Sequence, residues 1–167
     1  KDIILLANKL KVRYEFNPGI SPRLDGSRKP LAFRIDEKEF LRILSDPLLN
    51  PETIKLYDER LSQCDQKEIF MCGAGRNTCV ISTNGDLHPC LVLRMPFGNI
   101  RKQLFSEIWD SSAAGKFRAV NFSNLKTCVE CDLVPFCERC QGIALLEDGD
   151  IAGPARFFCK IADVRRS

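Results

Sequence analysis

Cysteine is the residue type best equipped for chemistry in this chain. There are nine: Cys64, Cys72, Cys79, Cys90, Cys128, Cys131, Cys137, Cys140 and Cys159. None falls in the first 63 residues, so the sequence divides into a cysteine-free and a cysteine-rich part. The gaps read Cys72-x6-Cys79-x10-Cys90, then 37 residues, then Cys128-x2-Cys131-x5-Cys137-x2-Cys140, then x18 to Cys159. Eight thiolates suit two four-cysteine sites, and soft sulfur donors select zinc or iron–sulfur clusters over hard cations. A Cys-x2-Cys turn lets two thiols converge on one centre. The x5 gap is short for the two knuckles of a zinc ribbon. Dense runs in which one cysteine serves a different centre are a ferredoxin habit. The spacing points to metal, with a disulfide framework or buried free thiols as the competing readings.

The rest of the composition says what kind of protein must carry these thiols. A chain of 167 residues, 44% hydrophobic and 28% charged, is long enough to build a real core. Its 25 basic and 22 acidic residues nearly balance, and the only dense basic cluster is Arg165–Arg166, so a nucleic-acid partner is not indicated. The longest apolar run near the start, Ile3 to Ala7, is too short for a signal segment or a membrane span. No export signal is visible to supply the oxidising compartment a disulfide scaffold needs, and the expected location is cytoplasmic. The absence of an initiator Met makes the chain look like a piece of a longer protein.

The positioning elements follow from pattern. Residues 2–10 predict a short helix, Val12–Phe16 a strand, and Asn17–Lys29, with Pro18, Gly19, Pro22 and Gly26, an irregular loop. Leu31–Ile35 reads as a strand. Asp36 caps a helix with Glu39 completing a capping box, and Phe40, Ile43 and Leu44 form its apolar face. A second helix opens at Asn50 with Pro51 in first position and runs to about Leu61. Beyond it, Thr78–Ser82 and Asp86–Cys90 flank Thr83–Asn84–Gly85, a hairpin signal. Helices are expected over Gln103–Trp109 and from an Asp110 or Ser111 cap to about Val120. Ser123–Cys140 reads as a cysteine-punctuated loop, and Leu145–Cys159 as turns with short strands. The fold class is α+β. A small cysteine-rich cluster domain with a β-hairpin and short helices occupies residues 64–167. The last strand–helix units of a partial α/β barrel and a linker helix precede it over residues 1–63.

The residues around the cysteines closely resemble the SPASM domain, which follows the barrel in radical SAM enzymes that modify peptides and proteins. The likeness rests on Cys72, Gly85-x4-Cys90, Cys128-x2-Cys131-x5-Cys137, Cys140 and Cys159. It is reinforced by Cys72-Gly-Ala-Gly-Arg76, Gly98-Asn99-Ile100, Glu107-Ile108-Trp109 and Cys140-Gln-Gly before Gly149–Asp150. It covers residues 64–160. More loosely, Phe16 to Gly26 looks like the last strand and loop of the barrel. The resemblance implies two interleaved auxiliary [4Fe–4S] clusters, the first on Cys72, Cys79, Cys90 and Cys140, the second on Cys128, Cys131, Cys137 and Cys159. This chain departs from the family in two places. Cys137 and Cys140 are separated by two residues rather than three. The Cys79 position is often not cysteine in peptide maturases, whose first cluster can keep an open iron for a substrate thiolate; Cys79 either closes that site or sits in the hairpin strand.

The resemblance further implies an upstream radical SAM barrel as partner, a peptide or protein substrate, and S-adenosylmethionine in the full-length parent. No cysteine triplet here has the Cys-x3-Cys-x2-Cys spacing that holds the S-adenosylmethionine-cleaving cluster, so this stretch alone is expected to be inactive. The leading role is electron transfer or substrate engagement by the two clusters. A structural zinc module with the same thiolates is the alternative, and zinc could replace iron in aerobic preparations. A secreted disulfide domain is the third reading. Cys64 reads as a buried spectator. His88 reads as a half-exposed hairpin residue rather than a ligand. Arg23 and Asp25 read as a plain turn rather than a barrel mouth. Phe105 and Trp109 read as core, and Lys116 and Arg118 as a solvated face.

Overall fold

The Asn84–Gly85 signal makes the predicted hairpin in the computed structural model, which describes residues 2–14, 16–46, 49 and 72–166. Gly85 takes the left-handed conformation (φ 88°), and its N–H closes the turn on the Ser82 carbonyl at 2.9 Å. Strands β1 (Val80–Ile81) and β2 (Asp86–His88) pair antiparallel, Val80 facing His88 and Ile81 facing Leu87. They are shorter than the predicted runs. A third strand, β3 (Gly98–Asn99), pairs with the other side of β2, setting Leu87 opposite Gly98. The Asn99 side chain locks this edge by donating to the Asn84 carbonyl and to Asp86 Oδ1, at 3.0 and 2.8 Å.

The N-terminal part differs from expectation. Helix α1 (Asp2–Leu10) forms as predicted. Neither predicted strand does among the described residues. Lys11 turns left-handed (φ 54°) and ends α1, and the segment after it finds no strand to pair with, so the ladder that would hold Val12–Phe16 extended is missing. Leu31–Ile35 instead belongs to a 3-10 helix, Lys29–Phe33, started by Pro30, whose fixed φ suits a first helical turn. Helix α2 (Glu37–Leu44) is capped as predicted by Asp36, whose Oδ1 accepts from the Glu39 N–H at 2.8 Å. The helix expected from Asn50 to Leu61, and Cys64, lie outside the described residues.

Helices α3 (Phe105–Trp109) and α4 (Ser112–Ala119) follow the sheet. The Glu107 carboxylate accepts from the Leu104 N–H at 3.0 Å, and Ser111 Oγ from the Ala114 N–H at 3.3 Å. The region 145–159 is not turns and strands. Helix α5 (Gln141–Asp148) runs through its start, and α6 (Arg156–Arg166) through its end. The turn signals govern only the link between them, where Gly149 (φ 74°) stops α5 by donating to the Leu145 carbonyl. Phe157, Phe158, Ile161 and Ala162 then give α6 a buried face at helical spacing.

Two cores result. Phe40 of α2 joins Ile143, Ala144, Phe157, Phe158 and Ile161 of α5 and α6. Ala74, Leu87, Leu93, Phe97, Ile108 and Phe117 gather the sheet, α3 and α4. Arg34 clamps the N-terminal segment onto the first core. Its Nε donates to the Ile20 carbonyl at 2.7 Å, its Nη2 pairs with Glu147, and its guanidinium lies 4.1 Å from the Phe157 ring centre. No described helix is long and apolar enough to cross a membrane.

Gly75 marks the tightest point of the second core. It is left-handed (φ 66°), and a Cβ there would lie 2.8 Å from the Phe117 ring. Gly75→Ala is expected to lower stability by about 1–3 kcal/mol in denaturant unfolding. Gly115→Ala, on helix α4 with open space around it, is expected to raise stability by about 0.5–1 kcal/mol.

Candidate metal centre

Backbone turns deliver the first set of thiols. After Cys72 the chain folds so that the Gly73 carbonyl accepts the N–H groups of Arg76, Asn77 and Thr78. The Ala74 N–H then points back at Cys72 Sγ, 3.3 Å away. Gly75 ties this turn to the end of the hairpin through its N–H to the Pro89 carbonyl (3.1 Å), which brings Cys72 beside Cys90. Cys90 Sγ in turn accepts from the Leu93 N–H at 3.3 Å. Cys140 sits at the N-cap of α5 and approaches because Gly142 allows it: a Cβ at Gly142 would be 2.6 Å from Val92 Cγ1. Cys79, just before β1, packs with Cys72 and Cys90 against the Leu87–Leu93–Phe97 core.

A second set assembles from three separate stretches. Cys128 is buried beside Leu125, and the Cys131 N–H closes a turn on the Cys128 carbonyl at 3.2 Å. A 3-10 turn, Val134–Phe136, leads into Cys137, which packs between the Leu125 cluster and the α5–α6 core. Cys159 comes from α6, one residue beyond Phe158, whose carbonyl lies near Cys137 Sγ.

Electrostatics links Cys140 with Cys72 and Cys90, and Cys137 and Cys159 with Cys128 and Cys131. Burial raises the Cys140 thiol pKa most, the amides of Ile143 and Gly142 oppose that rise, and Cys72 and Cys90 add to it. Burial likewise pushes Cys137 up to about 12, reinforced by Cys159, Cys128 and Cys131. Cys159 rises through burial, then through Cys128 and Cys131. Cys128 rises through burial, against the pull of Arg139. Cys128, Cys137, Cys140 and Cys159 resist ionisation first because they are buried and then because neighbouring thiols would ionise too, and added positive charge relieves both costs. The eight described cysteines are free of disulfides. Among the described residues, no three His, Cys, Asp or Glu side chains converge tightly enough to hold a single metal ion.

The donor set fits an iron–sulfur group. It consists of thiols alone, sheltered by apolar cores. Backbone N–H groups sit two or three residues after Cys72, Cys90, Cys137 and Cys140, where they favour the thiolate form.

Other site residues need correction. His88 is buried, 6% exposed, with Nδ1 lacking a hydrogen-bond partner, because core packing covers β2 on both faces. Arg118 is not on a solvated face. It donates to the carbonyls of Trp109 and Gly75 at 2.5 and 3.3 Å and lies 5.1 Å from the Trp109 ring centre; Lys116 is exposed as expected. Phe105 stacks on Trp109 at 5.7 Å but stays largely exposed. Arg23 and Asp25 form an exposed turn, the Asp25 carboxylate accepting from the Ser27 N–H, and the loop faces Leu91 and Val92 across an open cleft. Arg139 went unnoticed in the sequence. Only its position between Cys137 and Cys140 marks it, yet it is buried to 4% exposure.

The raised thiols set a pH dependence for metal-free protein. The unfolded chain releases the Cys137 proton near the ordinary value of 9.0, whereas the folded chain holds it to about 12. Folded protein therefore binds more protons in between, and stability is expected to fall as pH rises from about 9 to 12. Urea unfolding midpoints across that range measure the loss, and Cys137→Ala should flatten it.

The sequence pattern described as the SPASM iron–sulfur cluster-binding domain matches residues 72–141. The AdoMet-dependent heme synthase of Methanosarcina barkeri is 35% identical over 81 residues, which cover 47% of this chain and 23% of that protein. The AdoMet-dependent heme synthase of Nitratidesulfovibrio vulgaris is 30% identical over 79 residues, covering 47% of this chain and 22% of that protein. The matched stretch thus spans less than a quarter of either relative. No solved structure matches the chain. Residues 72–141 are thus similar to the SPASM family of iron–sulfur cluster-binding domains.

Proposed function

We propose that this chain holds two auxiliary [4Fe–4S] clusters that carry electrons in a radical SAM enzyme. Cys72, Cys79, Cys90 and Cys140 would hold the first, and Cys128, Cys131, Cys137 and Cys159 the second. The observation that carries the reading is the electrostatic grouping of Cys140 with Cys72 and Cys90, and of Cys137 with Cys128, Cys131 and Cys159. A cubane binds each thiolate through a different iron, so its ligands stand farther apart than the roughly 2.3 Å Zn–S bonds of one zinc would set them.

When bound, such clusters supply one-electron oxidation and reduction. The protein's part is to fix and tune them. The amides after Cys72, Cys90, Cys137 and Cys140 donate to sulfur and stabilise its negative charge. Leu87, Leu93, Phe97 and Leu125 exclude water. Cys79, packed against the same apolar core as Cys72 and Cys90, would supply a fourth thiolate and leave the first cluster no open iron. That favours electron relay over capture of a substrate thiolate.

An upstream radical SAM domain would supply the S-adenosylmethionine chemistry. The names of the two relatives give heme synthesis, not peptide or protein modification. We therefore assign the parent's substrate to a heme precursor ahead of a peptide.

Anaerobically purified full-length protein mutated in any upstream cluster ligands is expected to retain about eight irons and eight sulfides on these eight cysteines. Cys131→Ala should remove about half, and Cys79→Ala should open one iron in the first cluster, visible as cyanide or thiol binding by EPR. Stoichiometric zinc without sulfide would sink the proposal.

A further inference from the structure

The two groups of thiols meet at one residue. Arg139 lies between Cys137 of the second group and Cys140 of the first, with only Glu138 and Arg139 itself separating those cysteines. Its guanidinium is buried. Nε and Nη2 donate to the Gly153 carbonyl at 2.9 and 2.6 Å, and Nη2 also to the Ile151 carbonyl. Nη1 is buried with no hydrogen-bond partner among the described residues. A buried guanidinium normally finds a carboxylate. This one appears in none of the ion pairs among the described residues. Burial works against its charge, and the charges that favour it are Cys128, Cys137, Cys140 and Asp150. Three of those four are sulfurs, drawn from both groups. Asp150 is itself engaged by Lys126 at 2.8 Å.

A fixed cation in a sheltered site, with a spare donor and thiolates of two clusters around it, acts on charge. Each cluster becomes more negative by one unit on reduction, and positive charge nearby stabilises the reduced form. We propose that Arg139 is a shared positioning residue for both clusters, its Nη1–H donating to cluster sulfur and its charge raising both reduction potentials. The inference rests on the two-cluster reading above. The hydrogen bonds to Ile151 and Gly153 hold the guanidinium in place, so the α5–α6 turn serves as its mount.

The test is a redox titration of reconstituted full-length protein followed by EPR, comparing wild type with Arg139→Lys and Arg139→Gln. Arg139→Gln should shift the one-electron reduction equilibrium about tenfold toward the oxidised form in each cluster, about 59 mV lower; a shift confined to one cluster overturns the shared role. Arg139→Lys keeps the charge and should stay within about threefold of wild type. A merely structural arginine would move both variants together, and that result, or no shift in either, overturns the proposal. Should Arg139→Gln fail to load iron, wild-type protein labelled with 15N-arginine decides. Pulsed EPR of the reduced clusters should show 15N coupling, and its absence overturns the proposal. Wild-type protein without iron and sulfide would instead remove the cluster reading itself, and this inference with it.

Discussion

Several thiolates cannot share a water-poor pocket without positive charge to hold them together. In this chain the strain shows at the most sheltered sulfurs. Burial raises Cys137, Cys140 and Cys159, with Cys72 and Cys90 adding to the rise at Cys140, and Cys128 and Cys131 adding to it at Cys137 and Cys159. Everything around them answers that constraint. Backbone amides point at Cys72 and Cys90, a helix N-terminus faces Cys140, and a buried guanidinium sits beside Cys128. The partial positive charges of the protein soften the repulsion, and bound iron would remove it.

The glycines show how the backbone was shaped to meet that demand. Gly142 lets α5 come within contact of Val92, and Gly75 lets the Cys72 turn close over Phe117. At both points a methyl group would meet carbon closer than packed interiors tolerate. The hairpin needs Gly85 chiefly for its left-handed conformation, and a Cβ there would also crowd the Asn99 side chain at 2.9 Å. Three small residues thus solve two problems: turning the chain, and bringing sulfur-bearing segments from far along it into one place.

Much of this was readable beforehand. The Asn84–Gly85 turn and the capping residues Asp36 and Ser111 are local signals, and the hairpin and the starts of two helices followed from them. The misses have a common cause. Leu31–Ile35 and Val12–Phe16 carry apolar runs that suit strands, but strands exist only where partners do, and none of the described residues supplies one. Residues 145–159 contain real turn signals at Gly149, Gly153 and Pro154, which were extended over two flanking helices whose periodicity was intact. His88, Arg118 and Arg139 are polar residues covered by tertiary packing, and no local pattern announces that. Arg139 is the sharpest case: a charged residue in a loop reads as solvated until the segment from Ile151 to Gly153 closes over it.

The interleaving carries a consequence for biogenesis. In the two-cluster reading, the second pocket would take Cys128, Cys131 and Cys137 from one stretch and Cys159 from α6, while Cys140, between them, would belong with Cys72 and Cys90. A ribosome releases these segments in order, so the second pocket would lack a wall until the first turn of α6, which carries Cys159, has left the exit tunnel. Neither pocket can be cut out as a module without breaking the other. Any machinery that inserts metal would therefore act on the whole unit after synthesis, and a chain ending before Cys159 would leave Cys128, Cys131 and Cys137 without their fourth partner.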